Sequence, residues 1–446
     1  MKYFGSPAYS KVLERILCVT LVVLKLSVLR STWGKAQGFD APAWIETFRF
    51  THWFEPLPAP RALLASYHPP LSYLLSRVIF SVIPKEVEAS QLLSTLAMLA
   101  AFLGFRSALR RAGILESIAG MWLLYGGFSL PLYVWLAIET GYDAVVLAWF
   151  MLALSLSVSL FWQPVGQRAL RRISLWLRFA ALVAVLLAGL YTKYSGLMAF
   201  ALPFIVVWVR RGPRAFARES WLPGAACVMA IVIIAPFYYN RYYKAEHEWM
   251  PAAMKWQKQA EIAVTRQKRD ADPYAFLLHM LRIPDERLSD SKRPVMDSFI
   301  HSIWFHTWKR DKWLGPQPEP SLSVSNAYAT GFAYLVLFGS VAFLLRPPRF
   351  REPEELREVG WILLAITAIF SISALAFAWK YPVWGWRVFK AKYMAPGILW
   401  VSFAAWVPIG QIRSLIRSST QLRILDGCAT LALLAFMLTN HLLPVY

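Results

Sequence analysis

Arginine in this chain falls in short clusters, and each cluster borders an apolar run. Arg106, Arg110 and Arg111 close the run 91–105, and Arg168, Arg171, Arg172 and Arg178 follow 144–162. Arg210, Arg211, Arg214 and Arg218 follow 179–209, and Arg346, Arg349 and Arg351 follow 326–345. Arg413, Arg417 and Arg423 separate 394–412 from 427–443. A bilayer core about 30 Å thick takes roughly 20 helical residues to cross, and Lys/Arg-rich connections stay on the cytoplasmic side. The alternation therefore predicts a chain threaded repeatedly through a membrane. Composition agrees: 57% of the 446 residues are hydrophobic and 16% are charged, against about a quarter charged in a soluble domain.

The net charge of +21 would suit a nucleic-acid partner if it lay along one soluble face. Clustering between apolar runs argues for the membrane instead. Cys18, Cys227 and Cys428 all sit inside apolar runs without CxxC or metal spacing, so they read as small hydrophobes rather than a disulfide framework. No small-residue cleavage site follows the first apolar run, which is read as a retained span.

Spans are expected at 12–29, 91–105, 117–138, 144–162, 221–239, 326–345, 359–378, 394–412 and 427–443. The run 179–209 is too long for one crossing, and it is read as two short helices meeting near Lys193, Tyr194, Ser195 and Gly196. The apolar stretch 71–83 is too short to cross and is placed in the interface, as is a helix at 252–268. The expected fold class is an all-α polytopic membrane protein with about eleven transmembrane helices and interfacial helices in the first outer loop. With the N-terminus inside, every arginine cluster lands inside, and 33–88, 139–143, 240–319 and 379–393 gather outside. Expected modules are 1–240, with a catalytic first loop at 30–88, an outer region at 241–320, and a C-terminal transmembrane module at 321–446.

Residues able to carry chemistry concentrate in those outer segments. Asp40 precedes Ala41-Pro42, where a helix would begin and a carboxylate is stabilised; it can cap that helix or serve as a base. Glu139 and Asp143 stand four residues apart, close enough on one helix face to share a cation or proton, unless Gly141 breaks the helix. They also suit solvated span ends. Lys193 is the sole ionisable residue of its apolar run and fits either an anion site or a snorkelling lysine. Lys25 poses the same question and is read as snorkelling. His68 is pushed from helical geometry by Pro69, and the helix beginning at Pro69-Pro70 offers its N-terminus to phosphate, with Arg61 nearby. Lys380, Arg387, Lys390 and Lys392 lie among Trp and Tyr in the last outer loop, as headgroup seat or aromatic belt.

An acid just after the first span, then HPPLSYLL, the acidic IETGYDA, TKYSGL and KAKYMAP, in this order and on one side, resemble the GT-C integral-membrane glycosyltransferases. The likeness is to the bacterial branch related to protein mannosyltransferases and lipid A aminoarabinose transferases, and it covers most of the chain. It implies a bacterial inner-membrane enzyme moving a sugar from a polyprenyl-phosphate carrier to a glycan, lipid or protein acceptor on the outer face. It also implies Asp40 as catalytic base, Asp143 or Glu139 as the second acidic motif, and Lys193, His68, Arg61, Arg387 and Lys392 around the donor phosphate. Asp40 lacks a second adjacent acid, so a divalent cation held by Asp40 and Asp143 stays an open requirement. The competing classes are a transporter or flippase of a lipid-linked anion and a non-catalytic assembly subunit; no internal repeat favours the former.

Overall fold

The computed structural model describes residues 7–36, 41–60, 62–63, 65–162, 172–250, 259–276, 334–345, 354–380 and 394–442. Asp40, Arg61, Arg387, Lys390 and Lys392 lie outside the described residues. Among the described residues every regular element is helical. Eight helical segments there are long and apolar enough to cross a membrane, which makes this a multi-pass membrane protein.

Helix α1 (Pro7–Thr32) runs 26 residues, about 39 Å of helix, but carries Lys11, Glu14, Arg15, Lys25 and Arg30 and is not among the eight. Two short helices, α2 (Ala41–Arg49) and α3 (Leu71–Phe80), occupy the first loop. Pro42 falls in the first turn of α2, and α3 starts directly after Pro70, as the prolines require. The first of the eight is α4 (Glu86–Arg111), followed by the short helices α5 (Ile118–Met121) and α6 (Pro131–Leu136). The stretch 117–138 thus does not form the uninterrupted helix its apolarity predicts. A π-helical turn (Trp122–Gly126) follows α5, and Pro131 starts a new helix. Nearly all of it is buried inside the bundle, where irregular backbone is tolerated in a membrane protein.

Helices α7 (Asp143–Phe161) and α8 (Arg172–Thr192) lie side by side, and a 3₁₀ segment (Tyr194–Ala201) leads into α9 (Leu202–Glu219). The chain therefore breaks at Lys193, as the long apolar run required. Lys193 itself is extended, with φ −162° and ψ 150°. The break folds back tightly: a Cβ on Gly196 would lie 2.3 Å from the Gly189 carbonyl oxygen, so only glycine fits there. Then follow α10 (Trp221–Tyr238), which ends in a second π-helical turn (Tyr239–Tyr243), and α11 (Gln259–Ala271). Helix α11 overlaps the expected 252–268, of which residues 252–258 are outside the described set. Helices α12 (Tyr334–Leu345), α13 (Glu354–Lys380), α14 (Ala395–Leu415) and α15 (Ser419–Leu442) complete the bundle.

Side-chain links fix which helix ends meet. Arg106 at the end of α4 pairs with Glu14 near the start of α1 at 2.6 Å. Arg111 donates to the Ser155 carbonyl on α7, and Arg210 reaches both the Trp162 carbonyl and Glu358 on α13. Arg413 pairs with Asp426 across the α14–α15 turn. These cations gather at the end of the bundle opposite the first loop.

Lys25 does not snorkel as expected. Its ammonium donates to the Tyr133 backbone carbonyl at 2.9 Å, an acceptor left available because α6 is only six residues long.

Candidate active site at the first-loop end

Four segments meet at the first-loop end: the loop and helices before α4, the turn before α7, the break after α8, and the π-helical end of α10. An aromatic wedge joins the first two. Trp44 stacks on Phe48 and Tyr73 at centroid distances of 5.2 and 5.4 Å, and all three pack with Tyr142 into one buried cluster. Burying a side chain of this size contributes about 2 kcal/mol. Arg77 of α3 closes the C-terminus of α2, donating to the carbonyls of Phe48, Arg49 and Thr51, with its guanidinium 4.1 Å from the Phe48 ring centre. Burial pulls the Arg77 pKa below its ordinary value, while Glu86 and Glu55 pull it back up; the guanidinium stays charged at any physiological pH.

The acids of 139–143 do not share a helix. Residues 137–142 form a turn, and α7 begins at Asp143, so of the two alternatives the chain takes the break around Gly141 and not the shared helix face. Glu139 is 1% exposed and curls back, its Cδ 3.3 Å from where a Gly141 Cβ would be. Asp143 in the first turn of α7 meets Lys193 just past the last turn of α8 in an ion pair of 2.5 Å. Each charge complements its own helix dipole, negative at an N-terminus and positive at a C-terminus. Both side chains are under a tenth exposed, at 4% for Asp143 and 9% for Lys193. The choice left open for Lys193 thereby resolves toward a held, buried cation. The ammonium also stands 4.4 Å from the centre of the Tyr142 ring.

Tyr142 is the residue that sequence reasoning missed. Its hydroxyl lies 2.5 Å from Nε2 of His68 in a buried hydrogen bond, and the two rings are 4.2 Å apart. His68 is 5% exposed and sandwiched between Tyr67 and Tyr142. The Tyr194 hydroxyl, beside Lys193, donates to the Tyr67 carbonyl at 2.7 Å. Hence His68, Asp143 and Lys193, expected in one place, are in one place, joined through Tyr142. An aromatic directly before an acid in Tyr142-Asp143-Ala144 was the available signal, but nothing in a linear sequence pairs it with a histidine 74 residues away.

Arg241, on the π-helical turn, anchors the first loop by donating through Nη2 to the carbonyls of Pro58 and Ser66 at 2.8 and 2.9 Å. A π turn adds a residue per turn and re-aims side chains, which lets Arg241 face the loop while Tyr242 is fully buried. Beside it lies an open groove of about 450 Å³ lined by Leu57, Pro60, Pro236, Phe237, Asn240 and Arg241. Ile231, Val232 and Ile233 on the same helix are exposed, as a lipid-facing surface should be.

Among the described residues no group of three or more His, Cys, Asp or Glu side chains is placed to hold a metal ion. The Asp143 carboxylate is directed at Lys193, so the described donors do not assemble a cation site around it.

The chain is thus a bundle of apolar helices with buried polar and aromatic side chains gathered at one end. Its overall fold is similar to that of solved membrane-protein structures. ArnT from Cupriavidus metallidurans bound to undecaprenyl phosphate superposes with a TM-score of 0.51 at 14% identity, over 99% of this chain and 76% of that one. The archaeal oligosaccharyltransferase AglB from Archaeoglobus fulgidus, in complex with an inhibitory peptide and a dolichol-phosphate, gives 0.48 at 13% identity over 97% of this chain and 56% of that one. No family model matches the sequence, and no curated protein matches it either.

Proposed function

We propose that this protein is a glycosyltransferase that moves a sugar from a polyprenyl-phosphate carrier to an acceptor at the outer face of a bacterial inner membrane, with its N-terminus cytoplasmic. The observation that carries this reading is the buried Lys193–Asp143 pair with Tyr142 and His68, linked through the Tyr194–Tyr242 ring contact to the end of α10, whose residues line an apolar groove. A phosphate on a prenyl chain needs both kinds of surface, cationic and apolar, within a few ångströms of each other. The shared fold of ArnT, crystallised with undecaprenyl phosphate, supports the same substrate class.

The prenyl chain lies in the groove between Leu57, Pro60 and Phe237, which brings its phosphate toward Lys193 and His68. Arg61, Arg387 and Lys392 complete the cationic surround. The acceptor oxygen attacks the anomeric carbon as the bond from that carbon to the phosphate oxygen breaks. The electron pair leaves on the phosphate, where the cations stabilise it, and the acceptor proton passes to the Asp40 carboxylate. Displacement from the face opposite the leaving group inverts the anomeric centre. Lys193 meets the phosphate by partner exchange: the incoming phosphodiester monoanion displaces Asp143 from the ammonium, so the buried ammonium keeps an anionic partner throughout.

Full-length protein in detergent, supplied with a polyprenyl-phosphate sugar and a hydroxyl or amine acceptor, should release polyprenyl phosphate with matching sugar transfer. Asp40→Asn should retain the wild-type melting temperature and lose at least about 10³-fold in turnover, as removal of a catalytic base does. A carrier lipid that is bound yet never cleaved by the wild type would point to a flippase; full turnover by Asp40→Asn would remove that residue from the chemistry.

A further inference from the structure

Three polar side chains on successive turns of α4 grip the segments that lead into the acids. The Gln91 amide nitrogen faces the carbonyls of Lys35, Thr32 and Ile138 at 2.9, 3.1 and 3.3 Å, while its oxygen accepts from the Gly34 N–H at 3.0 Å. Three carbonyls on one side and an N–H on the other fix which amide atom is which. Ser94 donates to the Glu139 carbonyl at 2.7 Å, and Thr95 donates to the Ala137 carbonyl at 2.8 Å. Gln91 and Ser94 are fully buried. This clasp therefore joins the C-terminal exit of α1, five residues before Asp40, to the turn carrying Glu139 and Asp143.

We propose that Gln91 is a positioning residue, fixing where the acid-bearing turn and the entry to the Asp40 loop stand relative to each other; the inference rests on the transferase reading above. A helix needs no such device for its own stability. Two of the three carbonyls on the amide nitrogen, those of Thr32 and Lys35, belong to the exit of α1. The third acceptor, Ile138, belongs to the other segment, so one planar group holds both in a single register. Neither segment has a regular backbone ladder to hold it, since 33–36 and 137–142 are turns. Ser94 and Thr95 then set the depth of the turn, one residue on each side of Ile138.

The test uses the full chain in nanodiscs. Gln91→Met keeps length and apolar packing and deletes all four bonds; Gln91→Glu keeps the acceptor for Gly34 and replaces the donors by a repelling carboxylate. Both should lower kcat by about 10²-fold, the scale of a small misplacement of reacting groups, with KM for the donor lipid unchanged within about threefold. Thr95→Val, which keeps the side-chain shape and deletes the hydroxyl shared between the Ala137 carbonyl and the Gln91 carbonyl of its own helix, should show the same split in weaker form and covers the case in which the Gln91 variants do not fold. Wild-type kcat per folded molecule in Gln91→Met or Thr95→Val, with only the melting temperature lowered, would make the clasp structural and overturn the proposal. A wild type that turns over no polyprenyl-phosphate sugar would instead sink the transferase reading itself.

Discussion

Two lysines in this chain begin from the same sequence context and end in different ones. Lys25 and Lys193 are each a lone cation in an otherwise apolar helix stretch, and each is largely withdrawn from solvent. Lys25 sits mid-helix in α1 and is satisfied by one neutral acceptor, the Tyr133 carbonyl. Lys193 sits where a helix ends, is extended, and faces a carboxylate at 2.5 Å and an aromatic ring at 4.4 Å. A neutral carbonyl holds a cation in place and leaves nothing to exchange. A counter-ion can be traded for a stronger anion, and an ammonium at a backbone break can follow it. Burial of a lysine alone therefore does not mark a site; the partner and the backbone around it do.

The difference is largest when Lys193 is removed. Lys193→Met leaves the Asp143 carboxylate buried without its ammonium, a loss of about 3–5 kcal/mol where one partner of such a pair is deleted. Thermal unfolding in detergent should show it as a markedly lowered melting temperature, accompanied by loss of donor turnover. Adding Asp143→Asn to that variant should restore most of the stability and none of the turnover. A double variant as unstable as the single would mean that the pair does not account for the cost.

Asp143→Asn alone makes Lys193 resemble Lys25, a cation beside a neutral oxygen. Partner exchange then has a signed consequence. With its competitor neutralised, Lys193 should bind undecaprenyl phosphate about tenfold more tightly, roughly 1.4 kcal/mol, while donor turnover falls. Titration of the variant with undecaprenyl phosphate, followed by tryptophan fluorescence, measures this. Equal or weaker binding would break the exchange mechanism, because Asp143 would then be helping rather than competing for the ammonium.

How far this contrast was readable in the sequence follows from the range of the forces involved. Span limits came out close: 221–239 was expected and Trp221–Tyr238 is found, 144–162 was expected and Asp143–Phe161 is found. Apolar length and flanking charge are local and additive, so they survive in a linear record. The break at Lys193 was legible for the same reason, since 179–209 is too long for one crossing and holds one charge. The interruption of 117–138 has a local trace in Pro131, which the apolar length of the run hid. Partner choice was not legible. Lys193 and Asp143 are 50 residues apart, His68 and Tyr142 are 74 apart, and Gln91 and Ile138 are 47 apart. Sequence placed the first two pairs at one end of the bundle; only packing of α7 on α8 and of α2 and α3 on Tyr142 made them touch. For Lys25 the acceptor exists only because α6 is short, a fact of tertiary structure that the pattern of α1 does not contain.

The smallest expected effect tests the other half of the comparison. Lys25→Met replaces a buried ammonium by an apolar chain of similar length and leaves one carbonyl, Tyr133, without its donor. The lost hydrogen bond costs about 1–3 kcal/mol, and taking the charge out of an apolar helix returns a comparable amount. The two contributions oppose each other, so the melting temperature should move by no more than a few degrees. Donor turnover and undecaprenyl phosphate affinity should stay within about twofold of wild type, since Tyr133 belongs to the packed interior and touches none of the groups around Tyr142. A loss of turnover in Lys25→Met comparable to that in Lys193→Met would erase the distinction, and the two lysines would then have to be treated as one coupled system running from α1 through α6 to the site.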